Sequence, residues 1–275
     1  MFKSNQKILE VRRLNTILNT GNGDIPVVTN LSYHLNKGQT LGIIGQSGSG
    51  KTVSILSLLK LLPTPPFYPP QGKVIYNKTD LFSLNDKQFK KYLGPVFSMV
   101  FQNPMTCLNP VLSISQQLID PAIQHLKIPT DTAINKAHSL LTDLGLEADI
   151  VLHSFPHNLS GGMRQRVALA VALMSNPTIL IVDEPTTALD IHKKIQVIDL
   201  LEHIQAKYQL SMILISHDID IVRRLSDDIL VMYESRGVEF GTKEQVISNP
   251  KHNYTKALLN SEIKWGQKKL PKITI

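Results

Sequence analysis

The residues of this 275-residue chain that could do chemistry fall in a few short clusters. Gly45-Gln46-Ser47-Gly48-Ser49-Gly50-Lys51-Thr52 fits the spacing G-x-x-x-x-G-K-[ST]. Small residues at this spacing let successive backbone N–H groups point into one concavity, which suits the α- and β-phosphates of a nucleotide. Lys51 then reaches the β- and γ-phosphates as a point cation, and the Thr52 hydroxyl is placed for Mg²⁺. Asp183 and Glu184 stand side by side after the apolar run Ile179-Leu180-Ile181-Val182. Core strands seldom end on two carboxylates unless a cation or a reacting water offsets the charge. Ser216-His217-Asp218 closes a second apolar run, Met212 to Ile215, and Gln102 follows a third, Val96 to Phe101. A lone histidine is usually structural, but here it repeats the strand-then-polar pattern, which makes a functional role as plausible as a structural one.

These residues need elements to hold them. Leu41 to Ile44 reads as a buried parallel strand before the glycine-rich loop, and Val53 to Leu62 as a helix after it. The same match in a mere glycine-rich turn would lack that context. Ile8 to Leu18 and Val27 to Leu35 read as strands joined through Thr20-Gly21-Asn22-Gly23-Asp24, a hairpin. Gly72 to Tyr76 suggests another strand. In an open α/β sheet, ligands bind at the C-terminal edge of the strands, the edge carrying the loop at 45–52, Gln102, Asp183-Glu184 and His217. From Ile114 to Leu152 the pattern turns helical, with breaks at Pro121 and Pro129, so a helical insertion interrupts the sheet. It closes on Leu159-Ser160-Gly161-Gly162-Met163 and a helix from Arg164 to Met174, with Ser160 as its N-cap. Pro63 to Pro70 reads as an exposed extended loop, with a polyproline ligand as the competing reading.

Composition narrows the classes. Forty-two per cent hydrophobic residues is ordinary for a globular fold with a sizeable core, not for a disordered or fibrous chain. A formal charge of +7, from 29 Lys and Arg against 22 Asp and Glu, suits nucleotide, nucleic acid or an anionic surface. The basic residues are dispersed as pairs such as Lys90-Lys91 and Arg223-Arg224, which reads as solvated faces. Cys107 stands alone, so neither an internal disulfide nor a cysteine-clustered metal site is expected. With no apolar stretch near the ~20 residues a bilayer requires and no secretory signal, membrane association is expected only through partners.

Taken in order, the loop at 45–52, Gln102, Leu159 to Met163, Ile179 to Glu184, Ala188-Leu189-Asp190 and His217 resemble an ATP-binding cassette (ABC) ATPase from about Ile8 to Leu259. Val100 to Pro110, Asp183 to Asp190 and Asn249 to Leu259 are similar to the peptide and nickel importer branch. The resemblance implies an α/β P-loop NTPase core with an N-terminal antiparallel β subdomain and an inserted α-helical subdomain at about 103–170. One domain would span 1–259, followed by a tail at 260–275. ATP and Mg²⁺ would be the cofactors.

Residue roles follow from the same resemblance. Asp183 would hold Mg²⁺ through water, with Thr52 and Gln102 also at the metal, and Glu184 would be the general base. Gln102 would sense Mg²⁺ and the γ-phosphate, and His217 would contact the γ-phosphate. Ser160, Gly161 and Gly162 would cap the nucleotide bound to an opposite subunit. The implied partners are a second ABC ATPase, identical or different, two transmembrane permease subunits and, indirectly, a solute-binding protein. Nucleic acid is not expected. The place implied is the cytoplasmic face of the membrane. A soluble ABC-type ATPase acting on nucleic acid or in cofactor assembly is the alternative, and a non-enzymatic nucleotide-binding regulator a third.

Four departures stand out. The adenine-stacking aromatic of the family falls at Leu18, with Tyr33 as a rival source of the ring. Gln46 stands where the branch often has glutamate. Met232-Tyr233-Glu234-Ser235-Arg236-Gly237 displaces a turn glycine, and a cysteine-rich C-terminal extension is missing. Met105, Leu108 and Val111, after a proline, form either a docking surface for membrane subunits or part of the chain's own core.

Overall fold

The computed structural model describes residues 6–102, 107–187 and 189–261. Among these residues ten strands form two sheets: β1 (Lys7–Asn19), β2 (Asp24–Asn36), β3 (Thr40–Ile44), β4 (Gln71–Tyr76), β5 (Thr79–Asp80), β6 (Phe97–Val100), β7 (Ile179–Asp183), β8 (Ser211–Ile215), β9 (Asp228–Tyr233) and β10 (Arg236–Thr242). The first sheet is antiparallel in the order β2-β1-β4-β5. The second runs β10-β9-β3-β8-β7-β6, parallel except for β10 at its edge.

The larger sheet explains why its inner strands β7 and β8 carry unbroken apolar runs, Ile179 to Val182 and Met212 to Ile215. In β7, Ile179 and Ile181 join one core, while Leu180 and Val182 join another. Successive side chains point to opposite faces, so a strand covered on both sides needs an apolar residue at every position. One face packs α1 (Lys51–Leu58) and the antiparallel sheet through Leu9, Leu14, Leu31, Ile55 and Leu58. The other packs the remaining long helices.

Among the described residues, four α-helices lie between β6 and β7 in the chain. They are α3 (Ile114–Leu126), α4 (Thr130–Asp143), α5 (Ala148–His153) and α6 (Gly161–Leu173), preceded by the short α2 (Asp86–Phe89). Pro121 does not break the first of them, contrary to the sequence expectation; it sits inside α3. An interior proline costs ~3 kcal/mol. Ile114, Leu118, Ile119 and Ala122 are buried along that helix, and each large apolar side chain contributes ~1.5 to 3 kcal/mol, so packing outweighs the lost bond. The Ser113–Gln116 capping box adds to this. The later helices are α7 (Ile191–Tyr208), α8 (Ile219–Leu225), α9 (Lys243–Ser248) and α10 (Asn253–Ser261). Among the described residues no helix is long and apolar enough to cross a membrane.

The segment 63–70 is a largely exposed loop, as the sequence reading expects, and it is tied to β1: Asn19 N–H donates to the Pro66 carbonyl and Tyr68 N–H to that of Ile17, with one isolated bridge between Leu18 and Phe67. Between β9 and β10, Glu234 and Ser235 both take positive φ, 45° and 64°, and make a two-residue hairpin turn without glycine.

Candidate functional site

Register assembles the site. Ile43 of β3 pairs with Ile215 of β8, and Ile215 with Asp183 of β7, so three strands end level. Two further bonds carry the alignment past the strand ends: Ser216 N–H donates to the Ile43 carbonyl, and Glu184 N–H to that of Ile215. The glycine-rich loop, the carboxylate pair and His217 therefore emerge at one edge.

The loop itself needs glycine where the chain is crowded. Gly45 has φ 154°, and a β-carbon there would stand 2.2 Å from the Met232 carbonyl oxygen. Gly50 has φ 95°, and a β-carbon there would lie 2.5 Å from the Val27 carbonyl. Neither conformation nor approach admits a side chain. Gln46, Ser47 and Gly48 are exposed, and Ser49 is buried with a hydroxyl that has no hydrogen-bond partner among the described residues. Exposed backbone in a glycine-rich turn at the N-terminus of α1 fits a phosphate ligand.

Lys51 is buried, and its Nζ donates to the carbonyls of Gly45 at 2.7 Å and Gln46 at 3.0 Å. Burial pulls its pKa down, against the Glu184 and Asp183 charges that push it up. The Thr52 hydroxyl donates to Asp183, 3.2 Å to Oδ1 and 3.0 Å to Oδ2. Burial holds the Asp183 carboxyl above its usual range, opposed by that hydrogen bond. A hydroxyl and a carboxylate side by side are an all-oxygen donor set, the type that Mg²⁺ takes with waters and substrate phosphates.

Glu184 turns off the strand at φ 49°, uncommon for a residue with a side chain, and is buried. Its Oε2 lies 2.6 Å from His217 Nδ1 and accepts from the Thr187 hydroxyl at 3.3 Å. Gln102 stands apart from this group. Among the described residues it makes no hydrogen bond to Thr52 or Asp183, and it lines a cleft of about 460 Å³ with Ser160, Gly161, Gly162 and Gln165. Gln165 Nε2 ties that cleft to the carboxylate loop through the Pro185 carbonyl, 2.7 Å away. Ser160 caps α6 by accepting from Met163 N–H. Gly161 and Gly162 face open space, with nothing within 4 Å of an added β-carbon. Packing inside this chain does not call for their smallness. Ala188 lies outside the described residues.

One contact escaped sequence reasoning. The Gln46 N–H donates to the Tyr254 hydroxyl at 2.9 Å. Tyr254 belongs to a segment that sequence reading used only as a mark of branch, and no periodicity links positions 208 residues apart.

A phosphate loop between a buried parallel strand and a helix, with a carboxylate pair on a nearby strand of the same sheet, defines the class of P-loop nucleotide hydrolases. Residues 28–187 match the model for the ABC transporter family, and residues 238–274 match that for the oligopeptide/dipeptide transporter C-terminal region. The chain is 40% identical to the oligopeptide transport ATP-binding protein OppD of Bacillus subtilis, over 93% of this chain and 72% of that one. With the dipeptide transport ATP-binding protein DppD of Lactococcus lactis it shares 38% identity over 93% and 74%. Among solved structures, cbiO1 of Clostridium perfringens, part of an ABC transporter complex, superposes with a TM-score of 0.75 at 27% identity, covering 89% of this chain and 92% of that one. A dimeric ATP-binding cassette holding ADP and phosphate shares the fold with a TM-score of 0.74 at 24% identity, over 86% and 98%. The chain belongs to the ABC transporter family, as an ATP-binding, ATP-hydrolysing subunit.

Proposed function

We propose that this subunit powers the import of peptides at the cytoplasmic face of a membrane, docked on two transmembrane permease subunits that receive solute from a separate binding protein. The observation that carries the reading is the pair of matches to transporter families, one over residues 28–187 and one, for oligopeptide/dipeptide transporters, over residues 238–274. The likeness to OppD and DppD supports peptide over nickel as the cargo class.

In this reading the loop from Gly45 to Thr52 binds the ATP phosphates, with Lys51 leaving its loop carbonyls for the β- and γ-phosphates. Mg²⁺, when bound, offsets charge on the phosphates, and Thr52, Asp183 and Gln102 are the side chains that would hold it. Glu184 accepts a proton from the attacking water, His217 orients Glu184 and the γ-phosphate, and Gln102 reports the occupied site to the helical segment at about 103–170. Ser160, Gly161 and Gly162 cap the nucleotide of a second cassette, whether an identical copy or a different one. Their open surroundings support this, because small residues facing empty space let a partner's phosphate approach the helix N-terminus. The single domain would then run over 1–259, with 260–275 as a tail.

Peptide uptake in cells carrying the chain with its permeases tests the cargo. Lys51→Ala should abolish uptake of short peptides and spare nickel uptake. Loss of nickel uptake with peptide uptake intact would overturn the cargo assignment.

A further inference from the structure

We propose that Tyr254 is a positioning residue of the phosphate loop, delivered from the C-terminal helix α10. The Gln46 N–H donates to its hydroxyl at 2.9 Å, while the Gln46 carbonyl accepts from Lys51 Nζ at 3.0 Å. Both backbone groups of one loop residue are thereby occupied, one by the cation that serves the phosphates and the other by a side chain 208 positions away. Gln46 is exposed, so without Tyr254 its N–H would face water and the start of the loop could turn.

The ring is fixed as firmly as the hydroxyl. It stacks on Tyr233, with centroids 4.1 Å apart and planes at 25°. Tyr233 ends β9, directly after Met232, whose carbonyl presses against Gly45. On the other side, both carboxylate oxygens of Glu239 on β10 accept from the Lys251 and His252 N–H groups, at 2.8 and 3.0 Å, just before α10 begins. Leu258 and Leu259 then pack that helix on the core. Glu239 therefore sets where α10 starts, α10 sets where Tyr254 stands, and Tyr254 sets the Gln46 N–H of the loop. Through this chain of contacts the C-terminal segment holds the nucleotide site directly.

The inference rests on the loop being the nucleotide site, and the test separates the two. Tyr254→Phe in the full chain keeps the ring and its stacking and removes one hydrogen-bond acceptor. Neutral hydrogen bonds of this kind contribute ~0.5 to 1.5 kcal/mol, a factor of about two to ten. The KM for ATP and its Kd should rise by that factor. Because the loop holds phosphates alike in the ground and transition states, kcat should stay within about twofold. Exchange of the Gln46 amide, followed without nucleotide, should quicken, and the melting temperature should fall by no more than a few degrees. A KM within twofold of the unmodified chain overturns the inference. So does impairment seen only in Tyr254→Leu, which would assign the residue to packing. If the unmodified chain fails to bind ATP, the nucleotide reading fails on its own, and the Gln46 amide then decides: unaltered exchange in Tyr254→Phe overturns the positioning role.

Discussion

His217 Nδ1 stands 2.6 Å from Glu184 Oε2, joining the ends of two neighbouring strands. With the proton on Nδ1, His217 donates this bond to the Glu184 side chain. The His217 side chain is 60% exposed and that of Glu184 10%, so one group faces solvent while the other is sheltered from it. As a hypothesis, this pair is the water-activating unit. Glu184→Gln keeps an acceptor for His217 but removes the base, so ATP should bind while phosphate release falls ~10²-fold or more. Gel filtration with MgATP should show a nucleotide-sandwiched dimer, with the partner cassette added if the natural pair is mixed. A Glu184→Gln protein that turns over at the unmodified rate would remove Glu184 from the base role.

Asp183 pairs function with a stability cost. Its folded pKa lies above the ordinary 3.8, raised first by burial and also by Glu184, against the Thr52 hydrogen bond and Lys51. A carboxyl whose pKa rises on folding resists ionisation in the folded state. The cost is full above the raised pKa and disappears as pH falls below 3.8. Asp183→Asn should therefore melt ~2 to 4 °C higher than the unmodified, nucleotide-free chain at pH 7, with the gap narrowing toward pH 4, and should lose ATP hydrolysis. Melting curves at the two pH values check the sign; an Asn variant less stable at pH 7 would contradict it.

Leu108 and Val111 part company. Leu108 is 4% exposed and joins the helical core, whereas Val111 is 76% exposed; Met105 lies outside the described residues. Leu108→Asp is expected to destabilise by ~3 kcal/mol or more, because it buries an unpaired carboxylate. Val111→Asp should leave the melting temperature unchanged and weaken stimulation of the ATPase by permeases. Loss of folding in the Val111 variant would count against a docking role for this residue.

The adenine question now favours Leu18. Tyr33 is buried in the core, its hydroxyl has no hydrogen-bond partner among the described residues, and burial raises its pKa, so it does not supply a ring to the base. Removing an unsatisfied buried hydroxyl relieves ~1 kcal/mol, so Tyr33→Phe should raise the melting temperature with ATP affinity intact. Without a stacked ring at Leu18, GTP should bind within about tenfold of ATP, a difference of ~1.4 kcal/mol. Leu18→Tyr should tighten ATP binding, since base–aromatic stacking contributes ~1 to 3 kcal/mol. Strong ATP preference in the unmodified chain, lost in Tyr33→Phe, would overturn this assignment.

Sequence alone determined what neighbouring residues decide. The glycine spacing at 45–52 lies in consecutive residues, and Asp183 ends its strand with Glu184 directly after it, so spacing along the chain is enough to mark them. Strand apolarity likewise marked the buried sheet, because both faces of one element are written in one short run. Tertiary structure decided everything that depends on register between distant segments. Thr52 meets Asp183 across 131 residues and Glu184 meets His217 across 33, because β3, β8 and β7 pair in that order. Pro121 stays in a helix and Leu108 goes inside, because neighbouring helices supply apolar surface that no local pattern reveals. Tyr254 reaches Gln46 for the same reason: a hydrogen bond between two remote segments follows from how whole elements pack, and sequence spacing carries no record of it.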